Sequence, residues 1–111
     1  MSIERLKTSV KVAACICGKD GVISTLEEQK MFQMLTEKFP EFDMEIFEAT
    51  VKEFFVSDDQ IEDYMALLDD EDTRLFTLQL AEVSAAADGL VTTENIALEK
   101  AYLIWGIKRD A

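Results

Sequence analysis

The residues of this chain best suited to chemistry are carboxylates placed beside glycine. In Gly18-Lys19-Asp20-Gly21-Val22-Ile23-Ser24-Thr25-Leu26-Glu27-Glu28, four residues (Asp20, Gly21, Ile23 and Glu27) carry the spacing of positions 5, 6, 8 and 12 of a calcium-binding loop. Such a set offers hard oxygen ligands to calcium or magnesium, and the glycine permits a sharp turn. The front half of a loop is missing, because Ile16 and Gly18 fall where positions 1 and 3 need oxygen ligands. A second reading of the same residues is purely structural. Asp-Gly is a common turn dipeptide, and Glu27 has a use in capping the next helix.

The stretch recurs. Ala86-Ala87-Asp88-Gly89-Leu90-Val91-Thr92-Thr93-Glu94-Asn95 repeats the order Asp-Gly, two aliphatics, a hydroxyl, Thr and then an acid, with Asp88 lying 68 residues after Asp20. At that offset Ala13 matches Ala81, Gly21 matches Gly89, Ile23 matches Val91, and Ser24 and Thr25 match Thr92 and Thr93. The second copy also lacks the front of a calcium loop, since Ser84 and Ala86 occupy positions 1 and 3. Neither loop alone holds calcium in the EF-hand manner. If the two turns meet, Asp20, Glu27, Asp88 and Glu94 become candidate ligands of one divalent cation. An aspartate after a helix C-terminus faces the negative end of the dipole, at a cost of roughly 0.3–1 kcal/mol, and a bound cation would remove that penalty.

The elements that must position these acids are helices. Ser2 caps a first helix whose stripe is Ile3, Leu6, Val10, Ala13 and Cys17. Ser24 and Glu27 form a capping-box pattern opening a second, with Met31, Met34 or Leu35, and Phe39 on its apolar side. It must end before Pro40. Asp43 opens a third, carrying Ile46, Phe47, Thr50, Val51, Phe54 and Phe55. Ser57 or Asp58 caps a short fourth with Ile61, Tyr64, Met65 and Leu68. A fifth is expected from about Thr73 to Ala87, facing inward with Leu75, Leu78, Ala81 or Glu82, and Ala85. A sixth runs from Thr93 to about Trp105, closed by Gly106. No stretch alternates long enough to be a strand. The expected fold is all-α: a compact bundle of about six helices in one domain, with duplicated hairpins in repeat halves of about 1–40 and 72–107. Small residues at Ala13, Ala14, Gly18, Ala81, Ala85 and Ala86 would let the first and fifth helices approach closely and bring the two turns together.

Composition closes off several functions. The chain has 111 residues and a net charge of −12, from 23 acidic against 11 basic residues. Phosphate backbones and anionic membranes need clustered Lys and Arg, so nucleic acid and direct membrane binding are not expected. With no His, zinc sites and His-dependent nucleophilic catalysis lose a required member, and no enzymatic activity is expected. Cys15 and Cys17 are two apart, point to different sides of a helix and read as reduced thiols. No apolar run reaches the roughly 20 residues of a membrane span, and Met1-Ser2-Ile3-Glu4-Arg5 does not begin a secretory signal, which places the protein in the cytoplasm. The acid excess leaves a second function class open: a metal-independent adaptor or inhibitor that meets a basic protein through residues such as Glu41, Glu45, Glu48, Asp58, Asp59, Glu62, Asp63, Asp69, Asp70, Glu71 and Asp72. The series from Met31 to Phe55, rich in Met and Phe, is read as core in preference to a pliable groove.

Small residues leading into Asp20-Gly21-Val22-Ile23-Ser24 with Glu27, a second Ala87-Asp88-Gly89-Leu90-Val91 with Glu94, and the ending Trp105-Gly106-Ile107 resemble the TerB-like domain. That domain occurs in tellurite-resistance proteins and in the amino-terminal region of certain membrane-anchored DnaJ-type co-chaperones. The resemblance implies an internally duplicated helical domain whose acidic cluster binds divalent metal, with a role in stress response and no established catalysis. One departure stands out. In the family pattern the trailing Glu follows the Asp by seven residues, as Glu27 follows Asp20, whereas the seventh residue after Asp88 is Asn95 and the acid is Glu94. Either the second turn is one residue shorter or a ligand has been replaced.

Overall fold

Ser2, Ser24, Asp43 and Asp70 each place a side-chain oxygen over the first turn of a helix, and these four caps set the frame of the domain. The computed structural model describes residues 2–18, 23–89 and 92–109. Helix α1 spans Ile3–Cys17, and Ser2 Oγ accepts from the Arg5 amide at 3.2 Å. Helix α2, Thr25–Lys38, opens with a complete capping box. The Glu27 amide donates to Ser24 Oγ at 3.1 Å and the Ser24 amide donates to Glu27 Oε1 at 2.9 Å. It stops at Phe39, ahead of Pro40. Helix α3, Met44–Val56, is capped by Asp43, whose Oδ1 accepts from the Ile46 amide at 3.0 Å.

Helix α4, Ile61–Met65, starts later than its sequence predicts. Ser57 caps no helix; its Oγ accepts from the Asp59 amide at 3.1 Å and turns the chain, while Gln60 is the N-cap residue, its amide donating to Asp63 Oδ2 at 2.8 Å. Helix α5, Glu71–Ala85, starts earlier than expected because Asp70, not a residue nearer Thr73, is its cap. A 3-10 turn, Ala86–Asp88, follows. Helix α6, Thr92–Trp105, ends where Gly106 adopts φ +66°. There the Gly106 amide donates to the Leu103 carbonyl and the Ile107 amide to the Tyr102 carbonyl, the paired bonds of a Schellman motif. All described elements are helical, and none is long and apolar enough to cross a membrane.

Helix α1 is central. Leu6, Val10, Val12, Ala13 and Ile16 are all fully buried, so apolar side chains cover most of its circumference. It packs against α3, α4, α5 and α6, most extensively against α5. Small side chains allow that approach. At the α1/α5 crossing, Thr77 Oγ1 lies 2.8 Å from Ser9 Oγ, both residues fully buried, with Ala13 and Ala81 nearby in sequence and equally buried. Thr77 also donates to, and is oriented by, the Thr73 carbonyl at 2.7 Å. Ser9 and Thr77 are themselves 68 residues apart, the offset of the repeat.

The inward faces depart from the expected stripes at a few positions. On α5, Phe76, Thr77, Leu78, Leu80, Ala81 and Ala85 are buried and Leu75 is turned outward. On α3, Phe47 and Thr50 are buried and Phe55 is exposed. Of the Met and Phe series, Met31, Phe42 and Phe47 lie in the core, and Phe32, Met34, Phe39 and Phe54 pack against it. Cys17 is buried and Cys15 half-buried, both as thiols.

The N-terminal ends of α1 and α5 are joined by charge. Arg5 donates to Asp70 Oδ1 at 2.6 Å and to Asp69 Oδ1 at 2.9 Å. The bond to Asp69 holds the guanidinium pKa above its ordinary value. Asp70 is the more consequential partner, because its Oδ2 also accepts from the Thr73 hydroxyl at 2.6 Å and the Thr73 amide at 2.9 Å. These bonds from Thr73 favour the carboxylate and lower the Asp70 pKa below 3.8, with Arg5 adding to the effect. Asp70 therefore stabilises the fold fully above its unfolded-state value and loses that contribution as pH falls through its lowered folded value. Urea titrations between pH 5 and pH 2 should show a steeper acid loss of stability in the native chain than in Asp70→Asn.

Candidate functional site

The direction of α1 relative to α5 decides where the two Asp-Gly turns lie. Arg5 meets Asp69 and Asp70 before the crossing, and Ser9 meets Thr77 at it, so both chains run the same way along the contact. The helices are parallel and of equal length, 15 residues each. Their C-terminal ends, Cys17 and Ala85, consequently leave the crossing at the same end of the bundle. Parallel packing adds the negative ends of two helix dipoles there, and neither helix has a basic residue in its last turn to offset them.

Helix α2 then turns back along α5, while α6 packs on both α5 and α1. Phe39, at the end of α2, packs edge-to-face on Phe76 near the middle of α5, with ring centroids 5.4 Å apart, and Lys38 Nζ sits 5.2 Å from the same Phe76 ring. From that anchor α2 runs antiparallel to α5 and reaches the 3-10 turn Ala86–Asp88. The start of α2, with Glu27, is thereby brought to the second Asp-Gly turn. Ala97 and Ala101 of α6 line a shared cavity with Cys15 and Gly18 at the end of α1. Glu94 lies one turn before Ala97, toward the C-terminal end of α1.

Both trailing acids are buried. Glu27 is 3% exposed and Glu94 6%, unusual for carboxylates. Glu27 Oε1 accepts from the Ser24 amide, but Oε2 is buried without a hydrogen-bond partner among the described residues. Glu27 is the third residue of α2 and Glu94 the third described residue of α6, each helix being 14 residues long. Helices α1 and α5 begin 68 residues apart, and α2 and α6 67.

Asn95 has a different task. Its Oδ1 accepts from Arg109 at 2.8 Å, while the same guanidinium donates twice to Glu82 Oε1, at 3.0 and 2.8 Å. Arg109 also lies 3.6 Å from Glu99 and over the Tyr102 ring, fastening the tail beyond Gly106 across α5 and α6. Sequence reasoning passed over this clamp; the one available signal was an arginine following a helix-stopping glycine in an acidic chain.

Of the four candidate ligands, Glu27 and Glu94 are thus placed at the shared end of α1 and α5, each as a buried carboxylate. Asp88 closes the 3-10 turn with its backbone; Asp20 and the Asp88 side chain lie outside the described residues, as do Gly21 and Val91. Among the described residues no group of three or more His, Cys, Asp or Glu side chains gathers as a metal cluster. Gly89 has φ +96° and ψ 121°, a conformation that side chains rarely adopt, as expected of the turn glycine. A Cβ there would meet nothing within 4 Å, so any cost of Gly89→Ala is backbone strain alone. The substitution should destabilise the fold by about 1–3 kcal/mol in urea titrations.

The described residues form an all-helical bundle in which α1 and α5 run parallel and Glu27 and Glu94 are buried near helix starts. Comparison of the chain with protein-family models, curated proteins and solved structures finds no match in any of the three.

Proposed function

We propose that this chain is a non-catalytic, cation-responsive module in which Asp20, Glu27, Asp88 and Glu94 bind a divalent ion, calcium or magnesium, at the shared end of α1 and α5. The observation that carries this reading is the second oxygen of Glu27. A buried carboxylate oxygen that meets no donor among the described residues costs about 1–3 kcal/mol on general grounds. A hard cation is the ligand that offsets such a cost, and the donor set is all oxygen, as calcium and magnesium prefer. The likeness of the two Asp-Gly motifs to those of TerB-like domains adds a family context of stress response.

When bound, the ion supplies charge neutralisation and cross-linking, not reaction chemistry. Glu27 fixes the start of α2 through the Ser24 amide and presents its free oxygen to the ion. Glu94, buried at the start of α6, supplies a carboxylate from the other end of the sequence. Joining the two turns would stiffen the repeats against one another, a mechanical response to cation concentration.

Isothermal titration of the metal-free chain with calcium and with magnesium tests this. The reading requires saturable binding in the native protein and its loss in Glu27→Gln, which keeps an oxygen for the Ser24 amide but removes the charge. Equal heats in the native chain and the variant would refute it.

A further inference from the structure

The cavity that Cys15 and Gly18 line at the end of α1 opens outward as a groove with the features of a docking site. It lies between α6 and the extended linker that joins α3 to α4, and its apolar surface comes from Phe54, Ile61, Ala101 and Ile104. We propose that this groove receives a basic segment of a partner protein, which inserts one large apolar side chain and sets Lys or Arg against the acidic linker.

Size argues for a side chain as the inserted group. The groove encloses about 210 Å³, below the roughly 300–1,000 Å³ of pockets that hold drug-sized molecules. Exposed apolar side chains adjoin it: Val56, beside the linker, is 84% exposed, and Phe55 and Ile104 are also exposed. The groove persists because neither α3 nor α4 packs substantially on α6.

Charge argues for the sign of the partner. Asp58, Asp59, Glu62 and Asp63 are all exposed in six consecutive positions, and Asp59 lines the groove. Asp58 and Asp59 form no ion pair among the described residues. The lysine that lines the groove, Lys100, is already held 3.2 Å from Glu62 and leaves those two aspartates uncompensated. A second copy of the chain is the poorer occupant, because it would bring another net charge of −12 to the same place. A peptide with cationic residues flanking an apolar anchor satisfies both features at once.

The test uses the full-length chain labelled with nitrogen-15 and three short synthetic peptides. The first is built of Lys and Ala with a central Leu, the second replaces the Leu by Ala, and the third replaces Lys by Glu. Amide shift changes should concentrate at residues 54–61 and 97–104 with the first peptide. Its affinity should fall about tenfold or more with the second peptide, with the third, in high salt, and in the exposed-site variants Asp59→Lys and Ile104→Ser. The proposal is overturned by shifts that centre instead on other acids such as Asp69–Asp72, by equal affinity for the Leu and Ala peptides, or by variants that bind as well as the native chain. Absence of binding at millimolar peptide, or self-association through the same amides, overturns it equally.

Discussion

Calcium or magnesium at a hundredfold excess over its dissociation constant should raise the melting temperature of the native chain by on the order of 10 °C, and Glu27→Gln should abolish the rise. The magnitude follows from linkage. A ligand specific to the folded state adds about 2.7 kcal/mol at that excess, and in a domain of this size each kcal/mol shifts the midpoint by several degrees. Glu27→Gln is informative because its two oxygens have separate partners. Oε1 accepts from the Ser24 amide within the capping box, whereas Oε2 is buried without a partner among the described residues. Glutamine retains an acceptor for the cap, so the metal-free variant should fold. The metal-free midpoint of the variant should therefore stay near that of the native chain. Differential scanning calorimetry with and without each ion reads both quantities. A native chain whose midpoint is unmoved by millimolar calcium and magnesium contradicts the cation reading.

Phe42→Ala should cost about 3–5 kcal/mol, a large share of the roughly 5–15 kcal/mol that holds a domain of this size together. Phe42 lies between α2 and α3, outside any helix, yet it is fully buried and belongs to the core cluster with Met31, Leu35 and Phe47. Its amide donates to the Phe39 carbonyl at 3.0 Å, which turns the chain after Pro40 and aims the ring inward. Truncation would leave a cavity that rigid neighbouring helices cannot close. Phe55→Ala offers the contrast: Phe55 is 51% exposed and its loss should change stability by less than about 1 kcal/mol. Urea titration of the two variants separates them, and comparable losses would mean that the inward and outward sets of aromatic residues are wrongly assigned.

What the sequence disclosed was mostly local. Ser2, Ser24 and Asp43 cap helices through bonds spanning three residues, so residue type and spacing suffice to find them. The stop before Pro40 and the turn at Gly106 are equally local. The start of α4 was misplaced because Ser57, Asp58 and Gln60 are all competent near a helix start, and only packing of Tyr64 and Met65 selects Gln60. Leu75 and Thr77 show the limit of counting apolar residues. Close approach of α1 and α5 favours small hydroxyl side chains at the crossing, so Thr77 is inside, against Ser9, while Leu75 faces out. A 68-residue repeat linking Ser9 to Thr77 was the available clue. The candidate acids were legible as a pattern, but the placing of the start of α2 beside the 3-10 turn was not, because it depends on the run of α2 along α5. That Glu27 and Glu94 each stand third in a helix emerged only from where α2 and α6 begin.

Calcium anomalous difference density, measured from crystals grown with the ion, bears most directly on the shared end of α1 and α5. A peak about 2.3–2.6 Å from Glu27 Oε2, with carboxylates of the second repeat in the same coordination sphere, is the outcome expected here. Density without such a peak, and with Oε2 accepting a hydrogen bond from a protein donor, would leave the acids as caps and turns and contradict a cation site.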